Sequence, residues 1–471
     1  MVHPLVAAVQ SAVLPGWGQY RQGRRRTGLN MFRVVVVLLT ILVAAYAAGS
    51  PSLVALVVRP EVLVLLIAFN LGVLAFRAFS VWDAYRSAGG ESFRHAGPTA
   101  TTVVLAAILV GVTVPHVAAG YYSVQAYDLL TSLFQGPASP SGGWSAGPGS
   151  SPGTGGGDPG TTVPTTAPAP ATTTIPWQGE DRLNLLLLGG DAGPGRDGMR
   201  TDTMIVASIG LEEGAIALFG LPRNLAGAPL PGGGTFDAYQ GILNEVYPWG
   251  LNNPGRFPDA ANPGAAAIMG VAEEILGIAI DYYLLVNLEA FIDLVDALGG
   301  VDMVIPGRVY DDAYPHEDGT TEVIDIPAGE QHLDGHLALA YVRSRQQSDD
   351  YARMGRQRCL LVALAAQADV PSLLRAFPEL VPIIKQGIDT DIPVEALPHL
   401  VELAGKVEAD DALVVGLGPP DWTVGLTQDG FPLPDLAKIH TAVQVVIHDP
   451  DQARELYDLS GAGSECGWEQ P

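Results

Sequence analysis

Leu183-Asn184-Leu185-Leu186-Leu187-Leu188 is an almost unbroken apolar run that stops at Gly189-Gly190-Asp191, and Arg200-Thr201-Asp202 leads into a second run from Thr203 to Ile209. A run without polar alternation is what a strand buried on both faces looks like. Glu212-Glu213-Gly214 turns the chain into a third strand, Ala215 to Leu221. Downstream, 265 to 276 and 288 to 298 have helical spacing, 282 to 286 is β-rich, and 301 to 305 is strand-like after the Gly299-Gly300 break. Residues 335 to 343, 350 to 367, 372 to 386 and 394 to 406 read as helices, and 412 to 416 and 442 to 447 as strands. Strands alternating with helices predict an α/β fold, a mixed central sheet covered by helices.

Upstream of this sheet the composition changes twice. From 136 to 176 nearly every residue is Gly, Pro, Ser, Thr or Ala, so the stretch cannot bury a core and reads as a linker. Before it, 31 to 49, 61 to 79 and 99 to 121 are apolar stretches of about 19 to 23 residues, each enough to cross a hydrocarbon core of ~30 Å. The expected organisation is an N-terminal cytoplasmic or interfacial segment (1 to 30), a three-helix transmembrane region (31 to 135), the linker, a folded domain (177 to 450) and a C-terminal tail (451 to 471). Arginines 21, 24, 25, 26 and 33 precede the first span, and 77, 86 and 94 lie at the connection of the second to the third. That bias puts both regions on the cytoplasmic side and the folded domain outside, in a multi-pass protein of the cell membrane. Pro4 to Val13 ends in Leu14-Pro15-Gly16-Trp17-Gly18 and then arginines, so it reads as a short interfacial or re-entrant helix and not as a cleaved signal.

Charge divides along the same line. Residues 1 to 135 hold nine arginines and four acids, a formal +5, so with −25 for the whole chain the remainder carries −30. An acidic outer portion argues against nucleic acid as a partner. The two cysteines, Cys359 and Cys466, both fall on the outer side, where an oxidising compartment permits a disulfide that would tether the tail.

If the first two strands are neighbours, Asp191 and Asp202 emerge at one end of the sheet beside Arg200. Two carboxylates there suit a hard cation such as Mg²⁺, which takes one or two protein carboxylates and leaves the rest to phosphate and water oxygens. The plainer reading is that Asp191 caps the loop and Arg200 pairs with Asp202. A second group is Tyr341-Val342-Arg343-Ser344-Arg345, then Asp350, Arg353, Arg356 and Gln357. Arg343 and Arg345 share a face of an extended segment, and Arg353, Arg356 and Gln357 follow helical spacing, so four arginines converge. A solvated basic helix fits poorly, because 16 basic residues serve the whole outer portion and five fall between 343 and 358. Guanidinium forks gathered this way bind phosphate. Arg223, in Leu221-Pro222-Arg223-Asn224, adds another at a strand end. His332 and His336, four apart around Asp334, lack an evident third metal ligand. Asp311-Asp312 and Glu317-Asp318 read as a solvated acidic loop, and Trp177 and Trp249 as packing residues. No GxxxxGK[ST] loop is present.

The stretches NLLLLGGD…RTDTM, LPRN…PLP, ILNEVY, FIDLVDALGGVDMVIP and HLDGHLALAYVRSRQQSDDYARMGRQR together resemble the LytR-CpsA-Psr proteins of bacterial envelopes, closely over about 181 to 366. The resemblance implies a phosphotransferase that moves a glycopolymer from a polyprenyl-pyrophosphate carrier onto peptidoglycan, with Mg²⁺. It further implies that Asp191 and Asp202 hold Mg²⁺, that Arg200, Arg223, Arg343, Arg345, Arg353 and Gln357 bind the pyrophosphate, and that Asp350 orients Arg353 or its neighbours. A lipid tunnel is expected as well, with the apolar helices of 265 to 298 as its walls. Asn224 and Ile242 stand where many members have Asp and Lys, which suggests an actinobacterial-type subgroup. The rival readings are a prenyl-pyrophosphate hydrolase and a non-catalytic envelope sensor.

Overall fold

The computed structural model describes residues 3–47, 58–89, 98–134, 177, 180–191, 199–236, 241–316, 320–345, 350–367, 370–407, 411–457, 459 and 466. The linker from 136 to 176 and the acidic pair Glu317-Asp318 lie outside them. The chain forms two compact units, one of Met1–Ser132 with Leu397–Glu402 and one of Leu133–Ala396 with Leu403–Pro471.

In the first unit the expectation of three membrane-crossing helices is corrected. Among the described residues two helices are long and apolar enough to span a bilayer, Pro60–Ser87 and Thr102–Leu133. The helix Arg25–Ala47 starts on Arg25 and Arg26 and carries Arg33 in its third turn. Its uninterrupted apolar part, from Val34, is therefore only about 21 Å long within the helix, short of a ~30 Å core. The segment Pro4–Val13 is helical and buries Ala7 and Ala8 completely. Polar bonds pin the turn that follows it against Pro60–Ser87: Ser11 Oγ donates to Gln19 Oε1 (2.8 Å), Gln19 Nε2 donates to the Ser80 carbonyl (2.8 Å), and Arg24 pairs with Asp83 at 2.7 Å.

The second unit is built on the sheet predicted from the apolar runs. Its strands in chain order begin with β1 (Arg182–Gly190), β2 (Thr201–Gly210) and β3 (Ile216–Gly220), then the short β4 (Ala228–Pro229) and β5 (Thr235–Phe236). They continue as β6 (Tyr282–Asn287), β7 (Val301–Ile305), β8 (Val309–Pro315), β9 (Thr321–Ile326), β10 (Gly329–Leu333) and β11 (Ile388–Thr390). The last are β12 (Leu413–Gly416), β13 (Thr423–Leu426) and β14 (Pro432–Pro434). The main sheet runs β11-β6-β1-β2-β3-β12. It is mixed: β1 is antiparallel to β2 and parallel to β6, and β12 is parallel to β3. Leu183 and Leu186 are fully buried in β1, as a central strand covered on both faces requires.

Helices cover both faces. Pro263–Leu276 starts at Asn262, whose side chain accepts from the Ala265 amide, and ends on Gly277 at φ 69°, the left-handed stop that glycine adopts without strain. It packs Ile268, Val271 and Ile275 into the core shared with Leu186 and Phe219. The strand expected at 442 to 447 is instead part of the helix Leu436–His448. Asp435 caps it by accepting from the Lys438 amide, and Ile439, Ala442, Val443 and Val446 are buried at helical spacing, so burial of one stripe overrides the β-branched valines. Opposite, the helix Asp350–Gln367 lays Leu360 and Ala363 against β7 to β10. Cys359 on this helix is joined to Cys466, closing 107 residues.

Two stability predictions follow from these contacts. Serine in place of Cys466 frees the tail from that helix and should cost about 2 to 5 kcal/mol, read as a lowered Tm that reductant reproduces in the native protein. The second concerns Asp281 and Asp391, whose carboxyls burial pushes up to about 6 against the amides of Asn184 and Tyr283 that donate to them. A raised folded-state pKa means that ionisation opposes folding, fully above about pH 7 and not at all below about pH 4. Acidifying from pH 7.5 to 5 should therefore raise Tm, and Asp281→Asn should raise Tm at pH 7.5 while flattening that dependence.

Candidate functional site

The antiparallel pairing of β1 with β2 sets Gly190 opposite Thr201, with an irregularity after Gly189, so Asp191 and Asp202 leave the sheet at one end. β3 runs antiparallel to β2, and Arg223 emerges three residues past its end, on that same edge. Arg343 is the last residue of the helix Gly335–Arg343, and Ser344 (φ −55°, ψ 137°) turns the chain out of it. Arg353 and Gln357 lie one turn apart on the helix Asp350–Gln367. Asp191, Asp202, Arg223, Arg343, Arg353 and Gln357 line one cavity of about 560 Å³, together with Arg200 and Arg345, while Asp350 does not.

Exposure grades the arginines from rim to floor: side chains of Arg200, Arg345, Arg223 and Arg353 are 58%, 50%, 18% and 2% exposed. Their carboxylate partners are shared unevenly. Asp202 accepts from Arg223 Nη1 at 2.9 Å, from Asn244 Nδ2 at 3.1 Å and from Arg345 Nη2 at 3.4 Å. Burial works against its charge, but Arg223 with Asn244 and Arg353 outweighs burial and holds the carboxyl below the ordinary range. Asp350 lies behind the wall and accepts from Arg223 Nε at 3.2 Å and Nη2 at 3.4 Å. Burial likewise opposes the charge on Arg223, yet Asp202 and Asp350 together leave its pKa raised. Among the described residues Arg353 pairs with Asp350 alone, at 3.6 Å, and its Nε and Nη2 are buried without a hydrogen-bond partner. Burial first, then the neighbouring Arg223 charge, pushes its guanidinium down to about 10.

Sequence reasoning placed these residues in one group but erred on several neighbours. Arg356 is not in the cavity wall: its Nη2 donates to the Ser344 carbonyl and its guanidinium lies over Tyr341, 5.8 Å from the ring centroid. Arg358 fills the space between the ends of β3 and β12, where a Cβ on Gly220 or Gly416 would stand 3.1 or 3.0 Å from its Nη1. Asn244, 4% exposed, was overlooked although it sits in the ILNEVY stretch, and Glu245 beside it pairs with Arg200 at 3.4 Å. Asp311 is not solvated: it is 6% exposed, lines the cavity and accepts from Ser344 Oγ at 2.9 Å. The helix Pro263–Leu276 does not form the apolar wall, because it packs in the core that holds Leu186 and Phe219. The wall comes from Leu284 and Val286 on β6, Phe291 on the next helix, and Leu360, Leu361 and Leu364.

His332 and His336 do not meet; the first bonds to Asp302 and the second to Glu322. Among the described residues no three His, Cys, Asp or Glu side chains come together as metal ligands. For Mg²⁺ the test is the donor set of Asp191 and Asp202. Both carboxylates line the cavity, and Asn244 Oδ1 is buried without a partner beside Asp202. Hard oxygen donors of this kind fit Mg²⁺, with the remaining positions left to substrate and water. Asp191 is itself fixed, its Oδ1 accepting from the Arg200 amide at 2.6 Å and its own amide donating to the Arg200 carbonyl at 3.0 Å.

A model of the LytR_cpsA_psr family matches residues 161–414, more than half of the chain. Among curated relatives, the polyisoprenyl-teichoic acid–peptidoglycan teichoic acid transferase TagU of Halalkalibacterium halodurans is 27% identical over 223 residues, 47% of this chain and 64% of that protein. TagU of Oceanobacillus iheyensis is 29% identical over 224 residues, 47% of this chain and 62% of its own length. The chain thus spans less than two thirds of these relatives. Among solved structures, B. subtilis TagV is 20% identical with a TM-score of 0.42, covering 59% of this chain and 98% of that one. TagT bound to LIIa-WTA is 20% identical with a TM-score of 0.40, covering 59% and 91%. Relatives from Halalkalibacterium, Oceanobacillus and Bacillus correct the expectation of an actinobacterial-type subgroup. Asn224 and Ile242, on which that expectation rested, do not line the cavity, so neither is tied to its chemistry.

The orphaned guanidinium of Arg353 makes a test of what the cavity is for. A buried charge without full compensation costs stability, so Arg353→Met should leave Tm unchanged or raise it by a few degrees. The same variant should lose binding of pyrophosphate, measured by calorimetry with inorganic pyrophosphate and Mg²⁺, by about tenfold or more.

Proposed function

The chain belongs to the LytR_cpsA_psr family, and from that footing we propose that it is a membrane-anchored transferase that attaches a polyprenyl-pyrophosphate-linked glycopolymer to peptidoglycan. The observation that carries the reading is the Arg353 guanidinium, 2% exposed, with two nitrogens lacking a partner on the floor of a cavity whose other wall is leucine, valine and phenylalanine. Arginines converging at one end of an apolar pocket suit a ligand with a polyanionic head and a hydrocarbon body, which is what a prenyl pyrophosphate is. TagU of two relatives carries polyisoprenyl and peptidoglycan in its name, in agreement with that class of donor and acceptor. The apolar helices Pro60–Ser87 and Thr102–Leu133 would keep the enzyme at the bilayer where such a donor resides, with the sheet unit on the outer face.

In this reading Arg353 and Arg223 hold the pyrophosphate from the floor, and Arg343, Arg345 and Arg200 close on it from the rim. Gln357, 9% exposed, keeps the turn at Val342 in place through its Nε2. An acceptor sugar hydroxyl attacks the sugar-side phosphorus, forming the new phosphodiester as the bond to prenyl phosphate breaks, and the hydroxyl proton leaves with the departing phosphate or to water. Charge developing on the transferring and leaving oxygens falls among fixed guanidinium groups, which need little reorganisation. Asp191 and Asp202 would hold Mg²⁺, which when bound supplies further charge neutralisation at the phosphate oxygens. Asp350 acts through Arg223 and Arg353, keeping their forks oriented.

The full-length protein in detergent, given a prenyl-pyrophosphate-linked glycan, Mg²⁺ and peptidoglycan oligomers, should yield polymer-bearing oligomer. Release of free glycan phosphate would point to hydrolysis instead, and binding without turnover to a sensor. Arg345→Ala and Asp202→Asn should each lower transfer about 100-fold or more while the circular dichroism spectrum is unchanged. Wild-type transfer rates in both would remove the site assignment.

A further inference from the structure

β8 carries an irregularity that changes where its side chains point. Its pairing with β9 is regular from Val309 to Asp311 and resumes at Tyr314, with a shift in register between them. On an unbroken strand Asp311 and Tyr314, three apart, would face opposite sides. The bulge leaves Asp312 and Ala313 exposed and turns both Asp311 and Tyr314 inward, at 6% and 3% exposure, into the wall of the 560 Å³ cavity. Bulges beside functional sites commonly re-aim a side chain in this way.

The two groups make an unusual pair for a phosphate site. Among the described residues Tyr314 Oη is buried with no well-formed hydrogen bond, and the Arg343 guanidinium, over the ring at 5.8 Å from its centroid, is close enough to act on it. Asp311 accepts from Ser344 Oγ and from the Ala313 amide at 3.1 Å, bonds that leave lone pairs on a buried carboxylate. A phosphate oxygen only accepts hydrogen bonds, and a carboxylate repels it. A hydroxyl both donates and accepts, so it can satisfy Asp311 and Tyr314 together. The polyanion belongs to Arg223 and Arg353; the mixed pair belongs to something neutral and hydroxylated next to it.

Resting on the pyrophosphate-donor reading, we propose that Asp311 and Tyr314 form a sugar subsite that binds the first sugar residue of the donor, the one attached to the pyrophosphate. Arg343, which lies over the Tyr314 ring and lines the same cavity as Arg223 and Arg353, links the two subsites. The subsite gives the enzyme a means of recognising what the lipid carries and not merely that it carries a pyrophosphate. An unmade buried hydrogen bond also explains why a tyrosine, and not a phenylalanine, stands at 314 in an otherwise apolar cluster with Ile324 and Leu339.

The experiment uses full-length protein in detergent with Mg²⁺ and two probes, farnesyl pyrophosphate and the same molecule bearing one N-acetylhexosamine, titrated by calorimetry without acceptor. Tyr314→Phe removes an unpartnered hydroxyl, so its Tm should match or exceed wild type. It should weaken the sugar-bearing probe about tenfold, one lost hydrogen bond to a buried group, and leave farnesyl pyrophosphate unchanged. Asp311→Asn, which keeps one accepting oxygen for Ser344, should show the same selectivity. Equal weakening of both probes would make Tyr314 a phosphate ligand and overturn the subsite, as would unaltered binding of both. If wild type binds neither probe, the donor reading itself fails and the subsite with it; if it binds farnesyl pyrophosphate as tightly as the glycosylated probe, only the subsite falls.

Discussion

Five arginines line one cavity at the end of the sheet, and the carboxylates among them are shared so unevenly that the most buried guanidinium is the least compensated. Asp202 and Asp350 both engage Arg223 closely, at 2.9 and 3.2 Å. What remains for Arg353 is a single 3.6 Å contact. A protein that needed only stability would not hold a guanidinium there, since an apolar side chain of the same volume costs less. The deficit is sustained because the sheet and the helix Asp350–Gln367 are rigid enough to keep the charge in place. The disulfide from Cys359, on that helix, adds to that rigidity.

Much of this frame was legible in the sequence because it depends on short-range patterns. The apolar run Leu183 to Leu188 announces a central strand, and a strand that ends in Gly-Gly-Asp has to release its carboxylate at an edge. Helical spacing of Arg353 and Gln357 likewise fixes them on one face before any tertiary contact is known. The crowding of basic residues between 343 and 358 in an outer portion so acidic elsewhere is what pointed to an anion site. Arg356 shows the limit of that argument: spacing put it with Arg353, but its guanidinium is drawn to the Ser344 carbonyl, a tertiary partner that periodicity does not contain.

Other features were hidden for separable physical reasons. Val443 to Ile447 is β-branched, and only the buried stripe of Ile439, Val443 and Val446 beneath the Asp435 cap reveals a helix. The first apolar stretch is long enough on paper, yet Arg33 interrupts the helix that carries it, so length counted over the sequence overstates the apolar length of the helix. Asp311 was concealed by its neighbour. An Asp-Asp pair reads as solvent-facing, and it takes the bulge in β8 to separate them, sending Asp312 outward and Asp311 inward. Bulges leave no residue signature in a sequence read alone, because they arise from how two strands find register against each other.

On the function proposed above, that bulge also bears on how the cavity would treat one ligand in three ways. Its apolar wall is assembled from β6 and the Leu360 face of one helix, its cationic floor from Arg223 after β3 with Arg353, and its mixed donor and acceptor corner from β8. The floor and the apolar wall share the helix Asp350–Gln367 through Arg353 and Leu360, whereas the β8 corner stands on an element of its own. The phosphate floor cannot change freely, since moving any of Asp202, Arg223 or Asp350 strands the charge of the others. The β8 corner is tied less tightly: Asp311 accepts from Ser344 Oγ and the Ala313 amide, but among the described residues Tyr314 Oη makes no well-formed hydrogen bond. On the function and subsite proposed above, a site arranged this way would fix its chemistry in the ion pairs and leave the choice of cargo to a strand outside them.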